Sequence, residues 1–414
     1  MNRPWFWIAA VGFGLAAVTW MSPRGSAQPD VQRGLPGARA VIDAAEFPSL
    51  QAALDAVPDE GALVRLPAGT FEIHEPLWLR TEDTTLEGCG TATHIKNMNT
   101  DGKPALRIAH RDMPGDAKSG NKNLWRIRLA NFRITGNEQS GHGIEAVRIN
   151  EIFLDGVTVS YHGGAGILLD NCYEDPRVCD CLITYNKSTG LDLQGCHDIV
   201  VSSNQFEENQ DALRCFDGYN LCMTGNCVDD HLGRGVVIEN TYGSVVSGNM
   251  IEECHDAAIV LDRDCYGITL SANVIAHNGA GIDLRDAHGC AVSANTLTIL
   301  KTDALRIGPA SGRIAVSGNS FGNSFIGDDK IRRAANDAAA AGMVLAGASD
   351  VGVSGNVFSS VAPKAVALEG EANRRILFAD NVITDSASDH GQLQNSHVAD
   401  NLESVGEPAA DASR

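Results

Sequence analysis

Between Asp192 and Arg234 the chain gathers side chains able to move a proton: Asp192, Asp211, Arg214, Asp217, the run Asp229-Asp230-His231, and Arg234. Carboxylates, guanidinium groups and an imidazole in one region suit abstraction of a proton beside a carboxylate. A cation, either Arg or a carboxylate-bound Ca²⁺, neutralises the developing enediolate while a base takes the proton. Leaving-group departure then completes an elimination, and reprotonation from the other face completes an epimerisation. In that scheme Arg214 or His231 is the base and Arg234 stabilises charge. Asp192, Asp211 and Asp230 are then Ca²⁺ ligands or acid partners. The tetrapeptide Asp-Ala-Leu-Arg beginning at Asp211 returns at Asp303, 92 residues later. Chemistry therefore has to be weighed against repetition.

The repetition is extensive. Asn204, Asn226, Asn249, Asn273, Asn295, Asn319, Asn356 and Asn381 recur in phrases such as SGNMI and SANVI, the first five separated by 22, 23, 24 and 22 residues. A second phrase lies between them: AGILLD, TGLDLQ, DALRCF, RGVVIE, AAIVLD, AGIDLR, DALRIG, AGMVLA and KAVALE. Each is a small residue followed by alternating apolar positions, a short strand with one face inside. Leucine-rich repeats share the period, but they require LxxLxLxxN with helical returns, and here Val and Ile dominate. The pattern predicts an all-β fold, a single-stranded parallel β-helix of about 11 coils of 22–24 residues. The recurrent Asn reads as structural, since a buried turn Asn bonds backbone groups and tolerates the left-handed conformation.

Aligned coils give a surface map with rungs about 4.8 Å apart. The outward column reads Leu168, Asp192, Arg214, Val237, Val260, Asp283, Arg306, Val344 and Ala367. Asp192 is therefore expected to touch Arg214, and Asp283 to touch Arg306. The simpler reading of such pairs is a cross-rung salt bridge on a solvated face, common and worth little. A second charged cluster holds Asp262, Arg263, Asp264, Asp283, Arg285, Asp286, His288, Asp303 and Arg306, and Glu239, Asp262 and Arg285 read as a ladder of compensating charges. Both clusters could line one groove. Another column reads His162, Asn186, Glu208, His231, Cys254 and His277. His162 and His231 are three rungs apart in it, roughly 14 Å, too far to share one transition-metal ion.

Gly at 43 residues, Pro at only 14 and aromatics at 6% fit short strands and tight turns. A net charge of -20 argues against nucleic acid, which needs a concentrated basic face. Residues 1–27, with an early Arg, an apolar run from Trp5 to Trp20 and small residues at Gly25 and Ala27, look like a signal peptide, with an uncleaved anchor as the alternative. Secretion or a periplasmic location follows, with no membrane span after cleavage. Eleven Cys would permit disulfides there, and Cys172/Cys196, Cys227/Cys254 and Cys265/Cys290 are spaced for stacking on successive coils. The main domain is expected over residues 28–401. It carries an amphipathic capping helix at about 49–57 and an inserted short helix at about 328–341, and a disordered tail at 402–414 follows it.

The cap helix, the strands LPAGTFEIHEPLWL and LEGCGTATHI, and the coils with G-I-x-L and S-G-N-x-I resemble the right-handed parallel β-helix proteins of the pectin-lyase-like superfamily, over roughly residues 40 to 401. The resemblance implies that handedness and a carbohydrate partner. It leaves three classes open: a lyase or epimerase of acidic polysaccharide, a glycoside hydrolase of the polygalacturonase type, and a non-catalytic carbohydrate-binding or surface scaffold. Polygalacturonases combine N-x-D, a paired Asp, G-H-G and R-I-K; here NQD ends at Asp211 and DD at Asp230, but GHG, centred on His142, lies upstream and the lysine is missing. Mannuronan epimerases carry D-P-H, whose nearest match is EDPR at Glu174, without the His. The protein is expected to act as a monomer on polysaccharide, with Ca²⁺ as the one cofactor the acidic residues suggest.

Overall fold

The coils are short strands separated by single residues that turn the chain sharply. In one coil Val200–Ser202 runs in a first sheet, Gln205–Glu207 in a second and Leu213–Phe216 in a third. Between and after them Ser203, Glu208 and Asp217 adopt φ of 58°, 48° and 53°. A left-handed residue bends the backbone without helix, so the chain meets its own copy one coil later and pairs parallel to it. The structure, a computed structural model, describes residues 35–113, 122–322, 341–370 and 373–404. The unit from Arg39 onward is the solenoid; ahead of it the described residues are Leu35–Ala38, a turn closed by the Ala38 N–H on the Leu35 carbonyl.

The second sheet holds 14 strands, about one per coil, where the sequence pattern predicts about 11. The undercount has a local cause. The position equivalent to Asn204 one coil earlier is Cys181, whose N–H still donates to the Asn204 Oδ1. The N-terminal coils keep the turn but lack the asparagine that makes it legible.

Inside the coils, aliphatic side chains stack into one continuous core, with Leu191, Leu193, Leu213 and Cys215 buried and Asp192, Gln194, Arg214 and Phe216 pointing out. The asparagine ladder runs at the turn from first to second sheet. Each member accepts at Oδ1 from the N–H and amide of the Asn before it, as Asn273 does from Asn249 at 3.1 and 3.0 Å. Its own amide donates back into a strand carbonyl, Val246 for Asn273. The ladder reaches Asn401. The segment expected as a disordered tail begins with a strand, Leu402–Ser404, paired with Val382–Thr384.

Leu50–Asp55 is helical, with the Ser49 side chain capping Ala52, and Gln51 ties it to both backbone groups of Trp78. The expected signal segment 1–27, nearly all of the inserted helix at 328–341 and the end of the tail lie outside the described residues. All eleven cysteines carry free thiols. Cys172 and Cys196 do stack on neighbouring coils. Cys227 instead pairs in register with Met250, and Cys265 with Ala287.

Candidate functional site

The third sheet presents the charged face. Its register is the expected one: Asp192 lies beside Arg214 and Asp283 beside Arg306. The ion pairs differ. Arg214 places Nε and a terminal nitrogen on one Glu239 oxygen at 2.8 Å and lies over the Phe216 ring, while Arg263 takes the other Glu239 oxygen at 3.0 Å. Arg306 bonds Asp303 and Glu369, and Asp283 takes Arg285 at 2.7 Å. A long guanidinium reaches diagonally across rungs and chooses the carboxylate that satisfies several of its donors at once. The direct cross-rung ion pairs expected from sequence are replaced by these.

Asp211 and Arg234 come together one coil apart. Asp211 accepts from the Arg234 backbone N–H at 2.7 Å and from its guanidinium at 2.8 Å, and it is almost fully covered. Asp192 has one oxygen on the Gln194 amide and the other buried without a partner. Burial raises its pKa, opposed by Gln194, Arg214 and His142. His142, singled out from sequence only as the centre of G-H-G, accepts the Ala165 N–H at Nδ1, and burial holds it toward the neutral form.

His231 is placed otherwise than the proton-transfer scheme requires. It belongs to a second, inner ladder at the turn from second to third sheet: His162, Asn186, Asn209, His231, Cys254 and Asn278. Its Nδ1 accepts the Asn209 N–H where other coils use an asparagine oxygen, and its ring is closed to solvent. Burial pushes its pKa down to about 4. A ring occupied inside the wall is positioned to support the turn and does not face a substrate. Glu208 and His277, assigned to the same column from sequence, sit one residue earlier at φ of 48° and 59° and point outward. A one-residue offset reverses the face.

That outer column brings Asp230 to Asp229 and Glu253, with one oxygen of each within 4.8 Å of the others. Desolvation, a shared hydrogen bond with Glu253 and the Asp229 charge raise Asp230 to about 6. Among the described residues no three-ligand group contains Asp192 or Asp211, so the Ca²⁺ set predicted with Asp230 is not assembled. Asp211 is occupied by Arg234.

Beside the Asp211–Arg234 pair opens a pocket of about 510 Å³ that draws on both sequence clusters. Arg234, Arg285 and Lys301 supply cations, His255, Asp256 and Asp283 line it with them, and Ala257, Gly279 and Ala280 leave the floor clear of side chains. Lys301 also borders a smaller pocket of about 300 Å³ with Asp230, Glu253 and His277. Lys301, His255 and Asp256 are missed by the sequence reading. Carrying the His162-to-His277 column one coil further would have reached Leu300 and Lys301.

A right-handed β-helix region profile matches residues 116–243, and the family described as Periplasmic copper-binding protein (NosD) matches residues 187–328. The Mannuronan C-5 epimerase AlgE6 A-module of Azotobacter vinelandii superposes with a TM-score of 0.55 at 15% identity, covering 88% of this chain and 100% of that one. The chain folds as a right-handed parallel β-helix. The AlgE4 A-module of the same organism aligns to this β-helix with a TM-score of 0.53 at 15% identity, over 89% of this chain and 100% of the module. Tailspike protein 3 of bacteriophage CBA120 gives 0.55 at 12% identity, over 90% of this chain and 64% of the tailspike. No curated protein matches by sequence. Among the described residues no helix is long and apolar enough to cross a membrane.

Proposed function

We propose that this β-helix binds an acidic polysaccharide along its third sheet and acts on it by proton abstraction beside a uronate carboxylate, as a lyase or an epimerase. The observation that carries the reading is the convergence of Arg234, Arg285 and Lys301 on one pocket in a chain of net charge -20. Asp211 and Asp283 each hold one of the arginines, and Lys301, without an ion pair among the described residues, is left to meet an anion. Lys301 neutralises the substrate carboxylate and the enediolate it becomes, with Arg285, held by Asp283, beside it. His255, at the rim and 3.6 Å from Asp256, is the proton carrier. Arg234, held by Asp211, orients the carboxylate. A hydrolase fits less well, because Asp211 is committed to that ion pair while hydrolysis needs two free carboxyls across one bond.

Export to the periplasm or outside the cell belongs to the same reading, supported by the apolar segment near the N-terminus and the periplasmic description of one matching family. Calcium enters through Asp229, Asp230 and Glu253, whose oxygens suit a hard cation. Incubation with a panel of polyuronates and neutral glycans tests the proposal. Unsaturated products absorbing in the ultraviolet identify a lyase, and deuterium uptake at C5 without cleavage identifies an epimerase. Reducing ends without absorbance identify a hydrolase, and binding without turnover a scaffold; either result overturns the lyase-or-epimerase assignment. A chelator arm addresses calcium. Unchanged binding and turnover in Lys301→Ala with Arg285→Ala would place the site elsewhere.

A further inference from the structure

The last described coil breaks the pattern of the core. On the coil before it Val366 in the third sheet and Ile383 in the second point inward and are buried, and their in-register partners are Ser388 and Glu403. A hydroxyl and a carboxylate thus stand where the repeat places aliphatic side chains. His390 lies between them, almost fully buried and stacked on Phe378 with ring centres 4.9 Å apart. Its Nε2 is 3.0 Å from Glu403 Oε1, and its Nδ1 is 2.7 Å from Ser388 Oγ. With the Nε2–H donated to Glu403, Nδ1 keeps its lone pair and accepts the Ser388 hydroxyl. A serine on a histidine that a carboxylate orients is the arrangement that activates the serine.

Polarity by itself would do no more than close the end of the core. Three features go beyond that. Ser388 is only half-buried, so its hydroxyl can be reached. The His390 backbone N–H points at Ser388 Oγ at 3.4 Å, and the following N–H, of Gly391, has no hydrogen-bond partner among the described residues and open space at its α-carbon. Successive N–H groups of this kind receive a developing oxyanion. Finally, a pocket of about 160 Å³ adjoins the turn, between Leu368, two residues beyond the Ser388 partner Val366, and Gln392, Leu393 and Gln394. Sites for larger ligands start at roughly 300 Å³, so this one suits a short acyl group. The constellation is also held from outside: Lys364 bonds both oxygens of Asp389, the residue between Ser388 and His390, at 2.8 and 2.7 Å.

We propose that Ser388, His390 and Glu403 hydrolyse esters of short-chain carboxylic acids, at a site independent of the third-sheet pocket. Ser388 Oγ bonds the ester carbonyl carbon as its proton passes to His390 Nδ1. The bond from that carbon to the alcohol oxygen then breaks, and the alcohol leaves with the proton. Water repeats the exchange, which releases the carboxylic acid and restores the serine. Ser388 and His390 are the catalytic residues, and Glu403 positions the ring.

The test uses the full chain with its accessible thiols alkylated, because free cysteines also take up acetyl groups. Two probes are applied: p-nitrophenyl acetate as substrate, and a fluorophosphonate, whose P–F bond an activated serine displaces. The fluorophosphonate is expected to add once, at Ser388 by peptide mass spectrometry, and to stop nitrophenol release. Ser388→Ala, an apolar side chain at an inward position, should fold, lose the label and lose at least about 100-fold in turnover. Glu403→Gln, at an exposed residue, should lower kcat about tenfold or more with KM unchanged, and Glu403→Asp should recover part of it. Absence of label at Ser388 overturns the proposal, and so does turnover retained in Ser388→Ala. A Glu403→Gln variant that melts earlier with kcat unchanged would overturn the positioning role and leave Glu403 as a structural cap.

Discussion

The turn that carries the asparagine ladder and the third-sheet face that carries Arg234 are built on the same coils and obey opposite rules. At the turn each coil repeats its neighbour: Asn249 serves Asn226 and is served by Asn273 in the same way. On the face the column changes character along the solenoid, with Arg214, then Val237 and Val260, then Asp283 and Arg306 in succession. Identical residues at equivalent positions satisfy one another's buried backbone groups and leave nothing to bind with. Function therefore belongs to the positions where the repeat is broken and the side chains still reach solvent.

The largest expected effect tests the structural side. Asn273→Ala strands the Asn249 N–H and the Val246 carbonyl inside the wall, and urea unfolding should show a loss of about 4 kcal/mol. Polysaccharide binding at the folded midpoint should not change; a large change there would mean that ladder and face are coupled.

Next comes acid sensitivity. His162 and His231 are held neutral by burial, with pKa values pushed down to about 4. The unfolded chain takes up their protons near pH 6.5, so the stability they contribute is present above that pH. It is lost as pH falls from about 6.5 through 4, up to roughly 3 kcal/mol for each. His231→Asn restores the side chain that the ladder uses on other coils. It should fold normally at neutral pH and shift the acid-unfolding midpoint downward; an unmoved midpoint would deny His231 its inner position.

On the face, Arg234→Ala leaves the covered Asp211 carboxylate without its cation, and thermal unfolding should register a loss of about 2 kcal/mol. Lys301→Ala, with no ion pair among the described residues, should cost under about 0.5 kcal/mol. Both should weaken binding of a polyuronate, and only a shared loss of binding places the two residues in one site. The smallest effect returns to the ladder. Ala272 holds φ of 54° before Asn273, a conformation that Gly adopts freely. Ala272→Gly should therefore raise stability by about 1 kcal/mol in the same urea assay.

The two copies of Asp-Ala-Leu-Arg show how far the sequence could be read. Their separation marks the register of the solenoid, and the pairings confirm that Arg214 and Arg306 occupy equivalent outward positions. Their partners could not be read. Asp211 goes forward to Arg234 and Arg214 to Glu239, while Asp303 bonds its own Arg306, which also reaches Glu369 two coils on. His231 looked reactive because a histidine and an asparagine at a turn are distinguishable by letter but not by role. Only the fold shows that both offer the same acceptor to the same N–H.

The amino-acid sequence by itself determined the coil, its register, the inward faces and the asparagine turn, because these follow from spacing and from local backbone chemistry repeated every 22–24 residues. Tertiary structure alone decided which carboxylate each arginine takes. It also decided which of two adjacent turn residues points inward, and that Lys301 and His255 meet Arg234 and Arg285 at one pocket. Long charged side chains select partners by reach and by competition among several neighbours within a few ångströms, and that competition has no period.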